Sequence, residues 1–275
     1  MGSALEAMGA AISGSAWSAR VLDEQPDLVA RLHRAYADAG ATVHTANTFR
    51  ATPEATGGRY RELVERAVAV ARGAVPAEHR IAGSISPAAD CYAPGARPPS
   101  FRERHRAMAA ALAASRVDLF LCETFIDRDE TLAAVEACAA YDKPTWLAMT
   151  GGPAGELASP EQLAALARDA VRAGATAILV NCTAATLTSA YLEALRDLEV
   201  PRGAYANAGR PEERLGYLAD WGGAAPSRDE LRARAARYAD LARDWVRAGA
   251  TLIGGCCGTF PEHIEALRKI FGHDP

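Results

Sequence analysis

The chain has 275 residues, 49% of them hydrophobic, with 30 Lys and Arg against 34 Asp and Glu and a net charge of −4. This supplies a sizeable apolar core, and the length suits an α/β barrel of roughly 250 residues. The scattered charge excludes a basic stripe for nucleic acid, and no apolar run approaches the ~18 residues of a membrane span.

Residues 1–18 lack the basic start and apolar block of a signal peptide. Glu6 stands where a myristoylation motif on Gly2 needs Ser or Thr. The expected location is therefore cytoplasmic and reducing, where cysteines serve as ligands or catalysts more often than as bridges.

In chain order, residues 1–20 hold no β run and read as loop or helix. A helix over 25–39 opens an alternating series. It continues through strand 41–46, helix 54–74, strand 80–85, helix 100–115, strand 117–122, helix 128–141 and strand 144–149. Helix 160–173, strand 176–181, helix 187–197, strand 203–206, helix 227–247, strand 250–253 and helix 261–271 complete it. Capping-box pairs mark three helix starts: Ser159 with Gln162, Ser227 with Glu230, and Thr259 with Glu262. Leu231, Tyr238, Leu241 and Trp245 share one helix face, as do Ile264, Leu267 and Phe271, and both stripes read as core.

The tetrapeptide Ala-Gly-Ala-Thr occurs at 39–42, 173–176 and 248–251, each time between an amphipathic helix and an apolar run. Glycine there is the natural helix C-cap, and the spacings fit multiples of a βα repeat of roughly 35 residues. Alternation of this kind calls for a parallel sheet. With eight helices and seven strands, the expected fold is a single-domain (β/α)8 TIM barrel over residues 1–275 lacking its first β-strand. A sheet edge should then be exposed between the first helix and the last strand.

Active sites of such barrels form at the carboxyl ends of the strands. Four polar clusters fall there: Asn47-Thr48-Phe49, Cys122-Glu123-Thr124-Phe125, Asn181-Cys182, and Gly254-Gly255-Cys256-Cys257-Gly258. Three thiolates meeting at one point leave a fourth tetrahedral position free on zinc, the mark of a catalytic site. A disulfide between the neighbours Cys256 and Cys257 is disfavoured by the geometry it needs. Cys122 and Cys138 read as core thiols and Cys91 as a loop thiol, while His44 and His263 read as structural hydrogen-bonding groups. Trp17 and Trp221 read as loop packing, and Asn207 with Gly209 as a turn. A phosphate cradle around Cys256 is the alternative for the glycine-rich loop.

Asn181-Cys182 followed by Gly254-Gly255-Cys256-Cys257-Gly258-Thr259 resembles the signature of the zinc-dependent homocysteine S-methyltransferase family. Trp17-Ser18-Ala19, Asn47-Thr48-Phe49, Glu123-Thr124-Phe125, Tyr205-Ala206-Asn207-Ala208-Gly209 and Pro261-Glu262-His263-Ile264 extend the resemblance from residue 1 to about residue 270. It implies that Cys182, Cys256 and Cys257 bind Zn2+ and that homocysteine enters through its sulfur. It further implies a substrate-binding set of Glu123, Asn47, Thr48 and Asn181, with Glu123 on the ammonium group and Asn181 also supporting the ligand loop. Thr259 would cap the last helix beside the thiolates.

The implied reaction is methyl transfer from S-methylmethionine or S-adenosylmethionine to homocysteine, giving methionine, with small molecules as partners and neither nucleic acid nor membrane. A methyltransferase for another thiol or selenol, and a zinc-binding non-catalytic homologue, are the alternatives. Two departures stand out. Ser86 occupies a position where the family commonly has glycine. The family's opening strand, with its Asp-Gly aspartate, has no counterpart ahead of Met1-Gly2-Ser3, which reads as a start codon placed too late, with a natural variant of weakened amino-acid site as the alternative.

Overall fold

The computed structural model describes residues 1–11, 17–93, 95, 97–208, 213–216 and 226–272, apart from the side chains of residues 17 and 18. The expectations for Trp17, Gly209 and Trp221 lie outside what is described. Ten helices are present among these residues: α1 (Gly2–Ala7), α2 (Trp17–Glu24), α3 (Pro26–Ala39), α4 (Tyr60–Ala74), α5 (Phe101–Ala114), α6 (Arg128–Ala139), α7 (Pro160–Arg172), α8 (Thr188–Ala194), α9 (Arg228–Arg247) and α10 (Pro261–Phe271). The strands are β1 (Val43–Thr45), β2 (Arg80–Ile85), β3 (Leu119–Phe125), β4 (Thr145–Met149), β5 (Ala177–Ala184), β6 (Arg202–Asn207) and β7 (Leu252–Gly255).

Cap chemistry explains why most boundaries fall where periodicity places them. The Ser159 and Ser227 hydroxyls accept the N–H groups of Gln162 and Glu230, whose side chains accept from the cap N–H groups in return. Each of the three Ala-Gly-Ala-Thr segments closes as a Schellman turn. Gly40, Gly174 and Gly249 take φ of 110°, 112° and 93°. The residue after each bonds back to Tyr36, Ala170 and Trp245 respectively.

Two starts differ from expectation. The helix expected from residue 54 begins at Tyr60, because Gly57 and Gly58 take φ of 59° and 90° and interrupt it. At the last helix the cap is Phe260 rather than Thr259, its N–H donated to Nδ1 of His263 at 3.0 Å. The Thr259 hydroxyl instead donates to the Cys256 carbonyl at 2.7 Å.

The strands form one parallel sheet in the order β1-β2-β3-β4-β5-β6-β7, curled as a TIM-type α/β barrel. Side chains alternate across it as the strand period requires. Ala82, Leu119, Leu121, Ala148, Ala177 and Leu179 fill the barrel interior. Phe120, Cys122, Leu147, Met149, Ile178 and Val180 face the helices. α3 packs on α10, so the helical layer closes while the sheet does not pair β1 with β7. The seam opens into a cavity of about 430 Å³ lined by His33, His44, Trp146, Leu252 and Ile253. The Nε2 of His33 finds no hydrogen-bond partner among the described residues. No helix of the described residues is long and apolar enough to cross a membrane.

The buried histidines make the fold acid-sensitive. Burial holds His33 down at about 3, and His44 and His263 at about 4. An unfolded histidine titrates near 6.5. Between these values the unfolded chain binds protons that the folded chain refuses, so stability rises with pH across this window. The contribution is therefore whole above pH ~6.5 and is lost as pH falls toward about 4. Urea midpoints of the metal-free protein at constant ionic strength should decline steadily from pH 6.5 to 5. A flat midpoint over that range would contradict the assignment.

Candidate metal centre

Three sulfurs meet at the carboxyl rim. Cys182 on β5 and the pair Cys256 and Cys257, just after β7, place their Sγ atoms within 4.8 Å of one another. Cys182 is buried, and the other two are half-buried toward the mouth. The Cys182 and Cys256 sulfurs approach to 2.6 Å. Tetrahedral zinc with thiolate bonds of about 2.3 Å holds its sulfurs roughly 3.8 Å apart. The cluster spans that spacing, with the Cys182–Cys256 pair drawn inside it and having to part by about 1 Å around an ion. Three soft sulfur donors, with no carboxylate in the group among the described residues, suit zinc.

Backbone pairing places the vicinal cysteines. The Cys256 N–H donates to the Ala206 carbonyl at 2.8 Å, and Ala208 N–H donates to the Cys257 carbonyl at 2.9 Å. Asn207 Oδ1 accepts the Cys257 N–H at 3.2 Å, so the expected turn residue binds the cysteine loop. Ser3 Oγ accepts the Gly258 N–H at 3.2 Å. His263, fixed at both ring nitrogens by Phe260 N–H and the Leu215 carbonyl, stays a structural group.

On the other side, Asn181 Nδ2 donates to the Cys182 sulfur at 3.6 Å, and the Thr124 hydroxyl donates to it at 3.8 Å. The strand expected to end at Asn181 runs on to Ala184 past a register shift. The remaining thiols are separate: Cys122 and Cys138 sit 3.7 Å apart in the core under α6, and Cys91 lies in the loop after β2.

Beside the sulfurs a polar chain crosses the mouth. Thr48 Oγ1 donates to the Ser84 carbonyl at 2.8 Å and accepts the Ser84 N–H at 3.0 Å. The Ser84 hydroxyl donates to Oε1 of Glu123. Tyr205 donates to Oε2 at 3.0 Å. Both carboxylate oxygens are thus held from within. Burial pushes the Glu123 carboxyl up, against the two hydrogen bonds that pull it down. Asn47 is buried at the end of β1 on the same rim.

Ser86, the departure from glycine, donates to the Phe49 carbonyl at 2.8 Å and accepts from buried Arg104 at 3.2 Å. Glu130 accepts the Ala88 N–H at 2.6 Å and fixes the same loop. The cysteine hydrogen bonds also set the thiols apart. Cys257 is held well below the ordinary thiol range because Cys182 and Cys256 both bond to it, whereas Cys182 is raised, chiefly through Cys256.

Sequence reasoning named the cysteines, Glu123, Asn47, Thr48 and Asn181, and the structure brings them to one mouth. It did not assign roles to Ser84, Tyr205 or Thr124. Tyr205 and Thr124 lay inside quoted motifs, but only the barrel's curvature shows that the Ser84 and Tyr205 hydroxyls converge on Glu123.

A family model described as homocysteine S-methyltransferase matches residues 1–271. The homocysteine S-methyltransferase of Escherichia coli (strain K12) is 30% identical, over 98% of this chain and 92% of that protein. The S-methylmethionine--homocysteine S-methyltransferase BHMT2 of Pongo abelii is 28% identical, over 94% of this chain and 73% of its own. The homocysteine methyltransferase MmuM from Escherichia coli superposes at 28% identity, with TM-scores of 0.79 in its oxidized and 0.77 in its metallated form. These alignments cover 98% and 97% of this chain and 93% and 92% of the MmuM chains.

The two glycines before the cysteine pair differ in how much space they leave. A Cβ at Gly255 would come within 2.7 Å of Thr259 Cβ and Cγ2, while one at Gly254 would sit 3.3 Å from Tyr205 Cβ. Gly255→Ala should cost about 1–3 kcal/mol through overpacking, and Gly254→Ala less. Urea denaturation of the two variants checks the order, and equal stabilities would show that the loop has slack at Gly255.

Proposed function

The chain belongs to the homocysteine S-methyltransferase family, and from that premise we propose that it methylates homocysteine at a zinc ion held by Cys182, Cys256 and Cys257, with S-methylmethionine as donor. The observation that carries this reading is the convergence of three sulfurs from β5 and the loop after β7 within 4.8 Å. Zinc, when bound, keeps a coordinated thiol deprotonated at neutral pH, where a free thiol of pKa about 8.5 is mostly protonated.

The chain's own residues supply orientation. Glu123, buried with both oxygens held by Ser84 and Tyr205, is a costly place for an isolated charge. The ammonium group of homocysteine offsets that cost, and the pairing ties recognition of the amino acid to ionisation of Glu123. Thr48 acts through Ser84, and Asn47 and Asn181 complete the substrate-binding set. In the transfer, the homocysteine sulfur forms a bond to the methyl carbon. The donor's sulfonium carbon–sulfur bond breaks, its electron pair stays on the donor sulfur, and the thiol proton passes to solvent. Nothing is oxidised or reduced.

A single domain acting on small molecules in the cytoplasm fits this chemistry, because free thiolates persist in a reducing compartment. The support for S-methylmethionine is the Pongo abelii relative, whose name carries that donor. S-adenosylmethionine is the competing donor, and initial rates with each at equal concentration decide between them. A higher rate with S-adenosylmethionine would reverse the assignment.

Cys182→Ala, Cys256→Ala and Cys257→Ala should each lose bound zinc and methyl transfer together, read by metal analysis and methionine formation. Full zinc content in any one variant removes that cysteine from the ligand set. Glu123→Gln should raise the homocysteine KM by about 10- to 100-fold, with a smaller change in kcat, as loss of a charged hydrogen-bond partner does. Unchanged KM would remove Glu123 from the substrate site.

A further inference from the structure

β3 and β5 are not neighbours in the sheet, since β4 lies between them. Both carry a register shift at the rim, between Glu123 and Phe125 on one and between Asn181 and Ala184 on the other. At these shifts sit two non-glycine residues in the left-handed region, Thr124 with φ 67° and Cys182 with φ 50°. A β-branched residue there is a genuine outlier, and such strain persists only where the surroundings enforce it.

What enforces it is Asn181. Its Oδ1 accepts the Thr124 N–H at 3.2 Å, and its Nδ2 donates to the Thr124 hydroxyl at 2.9 Å. The Thr150 hydroxyl at the end of β4 donates to the Cys182 carbonyl at 3.3 Å and holds the next residue. Because the Thr124 oxygen is already accepting from Asn181, its single proton is free to point at the Cys182 sulfur, 3.8 Å away.

We propose that Thr124 is a positioning residue for the metal ligand Cys182: clasped by Asn181 in a left-handed bulge, it aims a hydroxyl at the sulfur and fixes where that thiolate meets the ion. The inference rests on the zinc reading above. Thr124 touches no substrate in this role. It restricts the rotation of Cys182 and draws charge from its thiolate, as partners behind metal ligands do.

The test uses the intact chain and zinc alone. Thr124→Val keeps the shape and removes the hydroxyl, whereas Thr124→Ser keeps the hydroxyl. Zinc affinity by chelator competition should fall about 10- to 100-fold in Thr124→Val and largely return in Thr124→Ser. In the cobalt-substituted protein, the thiolate-to-metal charge-transfer band should shift in the valine variant and not in the serine one. Thr124→Ala, which removes the same hydroxyl without the valine branch, should weaken zinc in the same direction and serves if the valine variant does not fold. Equal zinc affinity and an unchanged cobalt spectrum in Thr124→Val, even with lowered thermal stability, overturn the proposal and leave the zinc site standing. Failure of the unsubstituted chain to take up zinc overturns the zinc reading itself.

Discussion

β4 stops at Met149, opposite Phe125 at the end of β3, while β5 runs on to Ala184, and the ends of β3 and β5 meet above it. The placement of Cys182 follows from that meeting. Thr150 N–H donates to the Phe125 carbonyl and Gly151 N–H to the Thr183 hydroxyl, so the end of β4 is pinned to both neighbours. A parallel barrel delivers all its strand ends to one rim. It does not by itself bring alternate strands into contact. Here the bulges at Thr124 and beyond Asn181 do so, and one side chain amide spans the join.

The opposite wall is made differently. Cys256 and Cys257 are held by ladder-like backbone bonds to β6 and by the Asn207 side chain, which leave them half-buried and able to face an incoming ligand. The centre thus has one deeply braced sulfur and two on a loop tied at its backbone. Glu123 sits beside them with its oxygens already bonded to Ser84 and Tyr205. The carboxylate is aimed by groups that do not neutralise it. Burial disfavours its charge, and a cationic group is the natural complement.

Away from the rim, the seam between β1 and β7 shows how the helical layer can close without the sheet. α3 and α10 pack together, with Tyr36 donating to the Thr259 carbonyl at 3.0 Å, so the cysteine loop is buttressed across the seam. The neutral, buried His33 and His44 lie along it. Their neutrality links the fold's acid limit to the same region that supports the end of β7.

Much was legible in the residues because it is local. Periodicity placed all seven strands and eight of the helices, capping boxes fixed α7 and α9, and the glycine of Ala-Gly-Ala-Thr ended three helices by taking a conformation that other residues resist. The donor chemistry was legible too, since three cysteines on strand ends of a parallel sheet share a rim whatever the details. Misjudgements came where two local signals competed, as at Thr259, which has the right residue type for a cap but spends its hydroxyl on Cys256. By itself, then, the sequence determined the alternation of elements and the identity of the sulfurs. Only the tertiary structure decided that Thr124 lies against Cys182 and that Ser84 and Tyr205 grip Glu123. Strand register between non-adjacent strands, and a left-handed φ at a β-branched residue, are imposed by packing against local preference, so no local pattern records them.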